Sequence, residues 1–489
     1  MRKSGVLRLI AGIVLLASGA AGRTQAQDHV PNQIKNAART VQDALTGPTV
    51  INSYTVLFNF RSQPTIVVNG GPTFDPLLVQ GLVVDNSGVL YGESQFGGHL
   101  GCVLGIFGGC QILQFGSAFK LDQSDGLTRF PFPAHIFPMA GPVSSSAGPM
   151  VLGSDGKPIT ATFNGGLPGA GDVVSVDPLT GTFTTLHDFA GEANPSSSSD
   201  GAFPNTNVIR DFAGNLYGTT LTGGVNSPQV CGFEIGILTG CGVVYKLDAQ
   251  THQETILHSF SLNDGDQPFG LARDSSGNLI GASNGGGTNT RACAGIGCGL
   301  IFRINSSNTF SILHEFQHSS AGSSGPAPEL MGWQPNFVTA DEGGNIFGVT
   351  GSGGNFGLGV VFKIDRLGNY SVLHHWAGPG DGFNAQQILL KDGKLYGINS
   401  DGGDVLGCSV PINSIGGCGT LWMVDTFTNA FTVLHTFSKI QEGAAPTALA
   451  FDQNDDLVGS NFLGAAGVFD QNACSGGGGC GNLFRFTLH

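Results

Sequence analysis

Tyr54-Thr55-Val56-Leu57-Phe58-Asn59-Phe60 stands near the start of the chain, yet it reads as the last piece of a motif that recurs after it. The motif runs L-Y-G-x-S/T-x-x-G-G, then G-x-x-F/Y-K-L/I-D, then T-x-L-H-x-F. Its clearest copies are 216–224 with 242–248 and 255–260, and 346–354 with 359–365 and 371–376. The final copy stops at Leu483-Phe484-Arg485-Phe486, and no L-H-x-F piece comes after it. A repeat whose first piece completes its last is a closed ring. Closure is how an all-β array removes its exposed edges.

Leu90, Pro158, Leu216, Leu279, Ile346, Leu395 and Leu457 open the second strand of each copy, giving seven repeats. Their spacing of roughly 50 to 70 residues is that of propeller blades. Each repeat carries four strand-length pieces rich in Val, Ile, Phe and Tyr, with little helical periodicity after residue 50. The first piece ends in a D-x-x-G-N turn, as at 211–215, 274–278 and 341–345. Asp and Asn bond their own backbone in such turns, and Gly supplies a positive φ. The expected fold is an all-β, seven-bladed β-propeller with four antiparallel strands per blade, the last blade closed by an N-terminal strand. The second copy is degenerate, reading Pro158-Ile159-Thr160-Ala161-Thr162. It leaves open a six-bladed ring with a decorating hairpin.

The chain of 489 residues is sparse in charge, 11%, with 79 Gly and a net charge of −14. Phosphate binding needs clustered Lys and Arg, so nucleic acid is not an expected partner. Arg2, Lys3 and Arg8 precede an apolar stretch at 9–21 that is too short to span a membrane. This reads as a secretory signal ending at Ala26, followed by a leader at 27–51 and one propeller at 52–489. In the leader, Ile34, Ala38, Val41 and Leu45 fall at helical spacing. No Cys follows the apolar stretch before Cys102, and the chain ends at His489 without an apolar anchor. The expectation is a secreted or periplasmic monomer that is not lipid-anchored and has no membrane span after signal removal.

Ten cysteines fall into five local couples: Cys102/Cys110, Cys231/Cys241, Cys293/Cys298, Cys408/Cys418 and Cys474/Cys480. Each couple lies between strands two and three of its blade. Pairing by blade is what disulfides inside one loop produce. The spacings vary too much for a zinc pattern. By strand alternation, these loops share one face of the disc with the connections between blades.

Among candidate chemical residues, His187, His258, His314, His374 and His435 all fill the same L-H-x-F slot, with Phe58 and Phe130 in the remaining blades. A residue repeated around a ring reads as packing, not catalysis. Ser283 sits in a G-x-S-x-G string, but on a strand where that nucleophile motif needs a strand–turn–helix. No cofactor is called for. Asp200, Asp264, Asp266 and Asp381 are the best donors should calcium bind, although Asp-Gly is first a turn dipeptide. Two residues break the repeat. Trp333, in the connection between blades four and five with Glu329 nearby, reads either as a sugar-stacking surface or as a loop anchor. Glu93 is the one carboxylate in its strand-two slot and, if buried, is the weak candidate for an acid or base. Trp376 and Trp422 align with Phe positions and are expected in the core.

Asn215-Leu216-Tyr217-Gly218-Thr219-Thr220, Gly223-Gly224, Gly242-Val243-Val244-Tyr245-Lys246-Leu247, Ile256-Leu257-His258-Ser259-Phe260, Asp264-Gly265 and Pro268 together closely resemble the GloVer tandem repeat of exported bacterial "choice-of-anchor" proteins. The resemblance covers 52–489. It implies export and a propeller-like array, and no established activity to carry over. The leading functional expectation is a binding propeller for a polysaccharide or envelope partner, engaged on the disulfide-braced face. One alternative is an extracellular polysaccharide lyase or glycoside hydrolase, drawing on Glu93, His99, His135, Arg210, Arg273 and Lys391. The other is a structural surface protein.

Overall fold

The computed structural model describes residues 53–60, 66–68, 71–104, 110–114, 117–122, 126–131, 149–163, 165–166, 169–190, 200–206, 208–224, 231, 240–288, 293, 297–317, 331–404, 408, 416–438, 442–463 and 481–488. The expected signal segment and leader, 1–51, lie outside them.

In chain order the strands fall into seven antiparallel sheets. The first strand is β1 (Ser53–Asn59). Blade 1 holds β2 (Ile66–Val68), β3 (Gly71–Val84), β4 (Leu90–Leu104), β5 (Cys110–Gln114), β6 (Ser117–Leu121) and β7 (Leu127–Pro131). Blade 2 holds β8 (Val151–Leu152), β9 (Pro158–Thr162), β10 (Asp172–Val176) and β11 (Phe183–Asp188). Blade 3 has a first strand broken into β12 (Ala202–Pro204) and β13 (Ile209–Arg210), then β14 (Leu216–Thr222), β15 (Val243–Leu247) and β16 (Glu254–Ser259). Blade 4 is β17 (Asp266–Arg273), β18 (Leu279–Gly285), β19 (Leu300–Ile304) and β20 (Phe310–Glu315). Blade 5 is β21 (Trp333–Ala340), β22 (Ile346–Ser352), β23 (Val360–Ile364) and β24 (Tyr370–His375). Blade 6 is β25 (Phe383–Lys391), β26 (Lys394–Asp401), β27 (Thr420–Asp425) and β28 (Phe431–Thr436). Blade 7 has only β29 (Ala444–Phe451), β30 (Leu457–Leu463) and β31 (Asn482–Thr487) from its own stretch of chain.

Its fourth strand is β1. The sheet runs β29-β30-β31-β1, with Tyr54 opposite Phe486 and Val56 opposite Phe484. The ring closed by the N-terminal strand is therefore observed. So are seven blades: the degenerate 158–162 stretch still pairs with β8 and β10 as an ordinary second strand. Neighbouring blades are tied by buried polar side chains. Asn205 Nδ2 donates to the Pro268 carbonyl at 2.8 Å, and Gln387 Nε2 donates to the Leu449 carbonyl at 2.6 Å. At the seam between blades 7 and 1, Thr447 Oγ1 donates to the Val79 carbonyl at 2.6 Å.

The motif residues have separate jobs. The Gly of L-Y-G lies beneath the aromatic of strand three. A Cβ on Gly92, Gly218, Gly281, Gly348, Gly397 or Gly459 would run into the ring of Phe119, Tyr245, Phe302, Phe362, Trp422 or Phe484 respectively. Trp376 and Trp422 are fully buried, as expected. Ser283 Oγ accepts from the Asp266 N–H at 2.7 Å, and Thr220 and Thr350 likewise accept from the N–H groups of Val243 and Val360. The repeated hydroxyl thus serves backbone, which disposes of the nucleophile reading.

Three expected disulfides are present, Cys231–Cys241, Cys293–Cys298 and Cys408–Cys418, with Cα–Cα distances of 5.3, 5.1 and 5.2 Å. The side chains of Cys102 and Cys110, and both Cys474 and Cys480, lie outside the described residues. The second Cys of each observed couple also holds the next blade. The carbonyls of Cys241, Cys298 and Cys418 accept from the N–H groups of Gln267, Gln334 and Ala445 at 3.2, 3.0 and 2.9 Å. Those donor residues, with Phe203 and Asn384, are non-Gly residues with φ between 55° and 60° at one position of five blades. Such a conformation is uncommon for residues with a Cβ. Here it turns the N–H back onto the preceding blade. Replacing both Cys408 and Cys418 with Ser is expected to lower stability by about 2–3 kcal/mol, the chain-entropy value for a short loop. Urea unfolding of the oxidised protein checks this, and an unchanged midpoint would mean the loop is held without the bond.

Candidate functional site

Strand alternation sends the loops between second and third strands, with their disulfides, to one face of the disc. The turns between first and second strands emerge on the other. On that turn face Arg210, Arg273 and Ala340 end the first strands of blades 3, 4 and 5. The turns that follow surround a depression of about 500 Å³. The turn carboxylates are engaged by their own loops. Asp211 accepts from the Asn215 N–H and side chain at 2.8 Å each and from the Tyr217 hydroxyl at 3.0 Å. Asp274 and Asp341 accept in the same way from Asn278 and Asn345. Arg210 and Arg273 line the depression together with Asp211, Asp274, Asp341 and Glu342, with the fully exposed Phe212 beside them; the charge of Arg273 also acts on Asp211. Lys391 is elsewhere: it pairs with Asp455 and lies 4.8 Å over the Phe451 ring.

The histidine slot forms a belt around the outer strands. His258 stacks on Phe310 of the next blade at 3.7 Å, His314 on Tyr370 at 4.2 Å, His374 on Phe431 at 3.7 Å and His435 on Tyr54 at 4.7 Å. The second partner is the residue just before the Gly of the inter-blade turn. His258 Nε2 lies 3.2 Å from Asp264 Oδ2, His374 Nε2 2.6 Å from Asp381 Oδ2, and His435 Nε2 3.0 Å from Glu442 Oε2. The packing role read from the repetition is what these contacts amount to. The pairing of the slot with the Asp-Gly turn was not anticipated, although a His and a D-G at near-constant spacing in the same blades carried the signal. Asp264 and Asp381, expected as calcium donors, are occupied in this way. Asp266 is buried and its N–H is held by Ser283.

Blade 2 departs from the belt. His187 meets Glu254 of the next blade, where other blades offer an aromatic ring; Nε2 and Oε2 are 3.9 Å apart. Asp200 stands in the turn position and accepts from the Ala190 N–H through Oδ2 at 2.9 Å. Burial, reinforced by the charge of Asp200, pushes Glu254 up to about 9. Burial also raises Asp200 and lowers His187.

Glu93 is wholly buried in β4 between blades 1 and 2, where Thr160 Oγ1 donates to its Oε2. The side chain of His99 is not described, and His135 lies outside the described residues. Trp333 is not in a connection. It is the first residue of β21, paired with Ser352, half-buried against the cluster of Phe316, Val360 and Phe362. Ala202, Asp266, Phe383 and Ala444 open the first strands of other blades in the same register, so Trp333 does align with a repeat position. Its strand was hidden by the long stretch before it. Glu329 lies outside the described residues.

A family model described as the Gloeobacter/Verrucomicrobia repeat matches residues 232–469. No curated protein matches the sequence. Among solved structures, the chain is similar to the extracellular domain of a one-component system from B. thetaiotaomicron. The identity is 13% and the TM-score 0.48, over 90% of this chain and 42% of that one, so this chain spans less than half of that protein's length. It is also similar to a calcium-binding protein, regucalcin, from Agrobacterium tumefaciens, at 14% identity and a TM-score of 0.38 over 89% of this chain and 94% of that one. A gluconolactonase from Xanthomonas campestris is 13% identical, with a TM-score of 0.38 over 72% of this chain and 89% of that one. At these identities the likenesses concern the fold alone. Among the described residues no helix is long and apolar enough to cross a membrane.

Proposed function

We propose that the protein, whose residues 232–469 match the Gloeobacter/Verrucomicrobia repeat, is an exported binding propeller for an anionic polysaccharide. The basic N-terminal segment with its apolar stretch, and the oxidised cysteines, support export through a signal at 1–26 and a mature chain from residue 27. The observation that carries the binding reading is the depression on the turn face, with Arg210, Arg273 and Phe212 around it. Its volume is that of an ordinary ligand site. Guanidinium groups match carboxylates in a bidentate fork, and an exposed aromatic ring supplies a flat apolar surface beside them. Of the four carboxylates in the same lining, Asp211, Asp274 and Asp341 are held by their own turn residues, and Glu342 stands beside them.

On this reading the ligand binds the face opposite the disulfides. The braced face keeps the role of clasping blades, through the carbonyls of Cys241, Cys298 and Cys418, and Trp333 is engaged in packing. The burial of Glu93 gives an acid or base no route to a substrate, so binding is preferred to catalysis.

The test is retention of residues 27–489, oxidised, on neutral and uronate-containing polysaccharides, with new reducing ends read in parallel. Retention on uronate polymers that weakens with salt is expected. Each Arg→Ala change at 210 or 273 should weaken it about tenfold or more, the value of one charge-assisted hydrogen bond. Retention unchanged in the double variant, but lost in Trp333→Ala, would move the ligand to the braced face. Release of new ends would make the protein an enzyme.

A further inference from the structure

The outer-strand belt supplies its own control. One register position, opposite the end of the third strand, holds Leu127, Phe183, Phe310, Tyr370, Phe431 and Tyr54 in six blades. In blade 3 the same position is Glu254, opposite Leu247. It is an ionisable group in a slot that elsewhere holds Leu, Phe or Tyr, and its side chain is 11% exposed. The turn residue Asp200 and the slot residue His187 face it. One donor atom from each of the three lies within 4.8 Å of the others.

These groups do not satisfy one another. His187 Nε2, Asp200 Oδ1 and Glu254 Oε1 are each shut off from solvent without a hydrogen-bond partner among the described residues. The Tyr245 hydroxyl, completely buried and close enough to feel the charge of Glu254, also lacks one. At His258, His374 and His435 the equivalent His is paired with its own turn carboxylate, and the ring above it brings no charge. Burying unpaired polar atoms is costly, and burying two carboxylates together is more so unless a cation is held between them.

We propose that His187, Asp200 and Glu254 form a divalent-cation site that clamps blade 2 to blade 3. One imidazole nitrogen with two carboxylate oxygens is a donor set suited to zinc, three protein ligands leaving a fourth position for water or a ligand group. A hard ion such as calcium prefers six to eight oxygens. Asp200 comes from the inter-blade turn, His187 from β11 and Glu254 from β16, so the ion would join two blades and the chain between them. This site is independent of the arginine depression.

The experiment uses untagged, oxidised residues 27–489 after dialysis against a chelator. Zn²⁺, Co²⁺ and Ca²⁺ are titrated by calorimetry, and melting is followed with and without each ion. The expected result is one equivalent of Zn²⁺, a raised Tm, and a visible Co²⁺ spectrum of low coordination number. Glu254→Phe installs the residue that Phe310 represents in the next blade, so it should fold without metal, lose the stoichiometric Zn²⁺ binding and melt at one temperature with or without chelator. His187→Ala should lose the same equivalent. No Zn²⁺ or Co²⁺ bound by the wild-type protein, binding of Ca²⁺ in preference to Zn²⁺, or full Zn²⁺ binding by Glu254→Phe would each overturn the assignment.

Discussion

A chain that begins at residue 61 is expected not to form the native ring. Without β1, blade 7 keeps three strands, and β31 exposes the edge that Tyr54, Val56 and Phe58 now cover in register. The loss is more than an edge. Tyr54 packs in the cluster containing Phe437 and Phe484, and Leu57, Phe58 and Phe60 pack in the cluster containing Phe119 and Leu483. A fully buried large apolar side chain is worth about 1.5–3 kcal/mol; Phe60 is buried and the other three are half-buried, so together they approach the lower end of an ordinary domain's net stability, about 5–15 kcal/mol. The truncated chain should lose its cooperative melt and associate through the open edge. Moving residues 52–60 to follow His489 through a short flexible linker should restore both the melt and a monomer. A truncated chain that melts cooperatively as a monomer near the wild-type temperature would mean that β1 is an accessory.

The second large effect concerns the Gly beneath each third-strand aromatic. Gly281 is fitted against the tip of the Phe302 ring, which is fully buried. Gly281→Ala forces a methyl group into that ring, and overpacking of a dense core costs about 1–3 kcal/mol, sometimes more. Phe302→Ala removes the ring and should cost about 3–5 kcal/mol. The two changes should not add, because the new methyl group enters space the ring has vacated. The double variant is therefore expected to be less destabilised than the sum of the two singles, by a coupling of about 0.5–3 kcal/mol. Equilibrium unfolding of the four proteins measures it. Additivity would mean that Gly281 is there for its backbone alone.

The ring was legible because its evidence is repetition. Tyr54–Phe60 needed only comparison with Thr255–Phe260 to be assigned to the last blade, and a backbone register carries that relation directly. The cysteine couples were legible for the same reason, and three of them are observed as bonds. Trp333 was misread because the stretch before it breaks the spacing; its place as the first residue of β21 rests on the left-handed Gln334 and the Pro335 after it, features the D-G turn announces in other blades and Met331-Gly332 does not. The arginine depression gathers residues from three blades, and the sequence shows each only as the end of a strand.

The belt gives the sharper contrast. The histidine slot could be read as structural because it recurs. What the same reading passed over was the partner slot, where one acidic residue among Leu, Phe and Tyr is a change of chemistry at Glu254. Glu93 stood out as a single carboxylate and drew attention, yet Thr160 of the next blade holds it out of solvent. Rarity in a repeat marks both residues. Only the surroundings, an engaged Glu93 and an unsatisfied Glu254, separate a structural exception from a candidate site.

Amide hydrogen exchange on the intact, oxidised protein tests the closed ring most directly. The amides of 53–59 should be protected to the same degree as those of 310–315 and 370–375, the fourth strands of blades 4 and 5, and should open together with 482–487. Rapid exchange across 53–59 while 482–487 stays protected would contradict the account, because the N-terminal strand would then not be the fourth strand of blade 7.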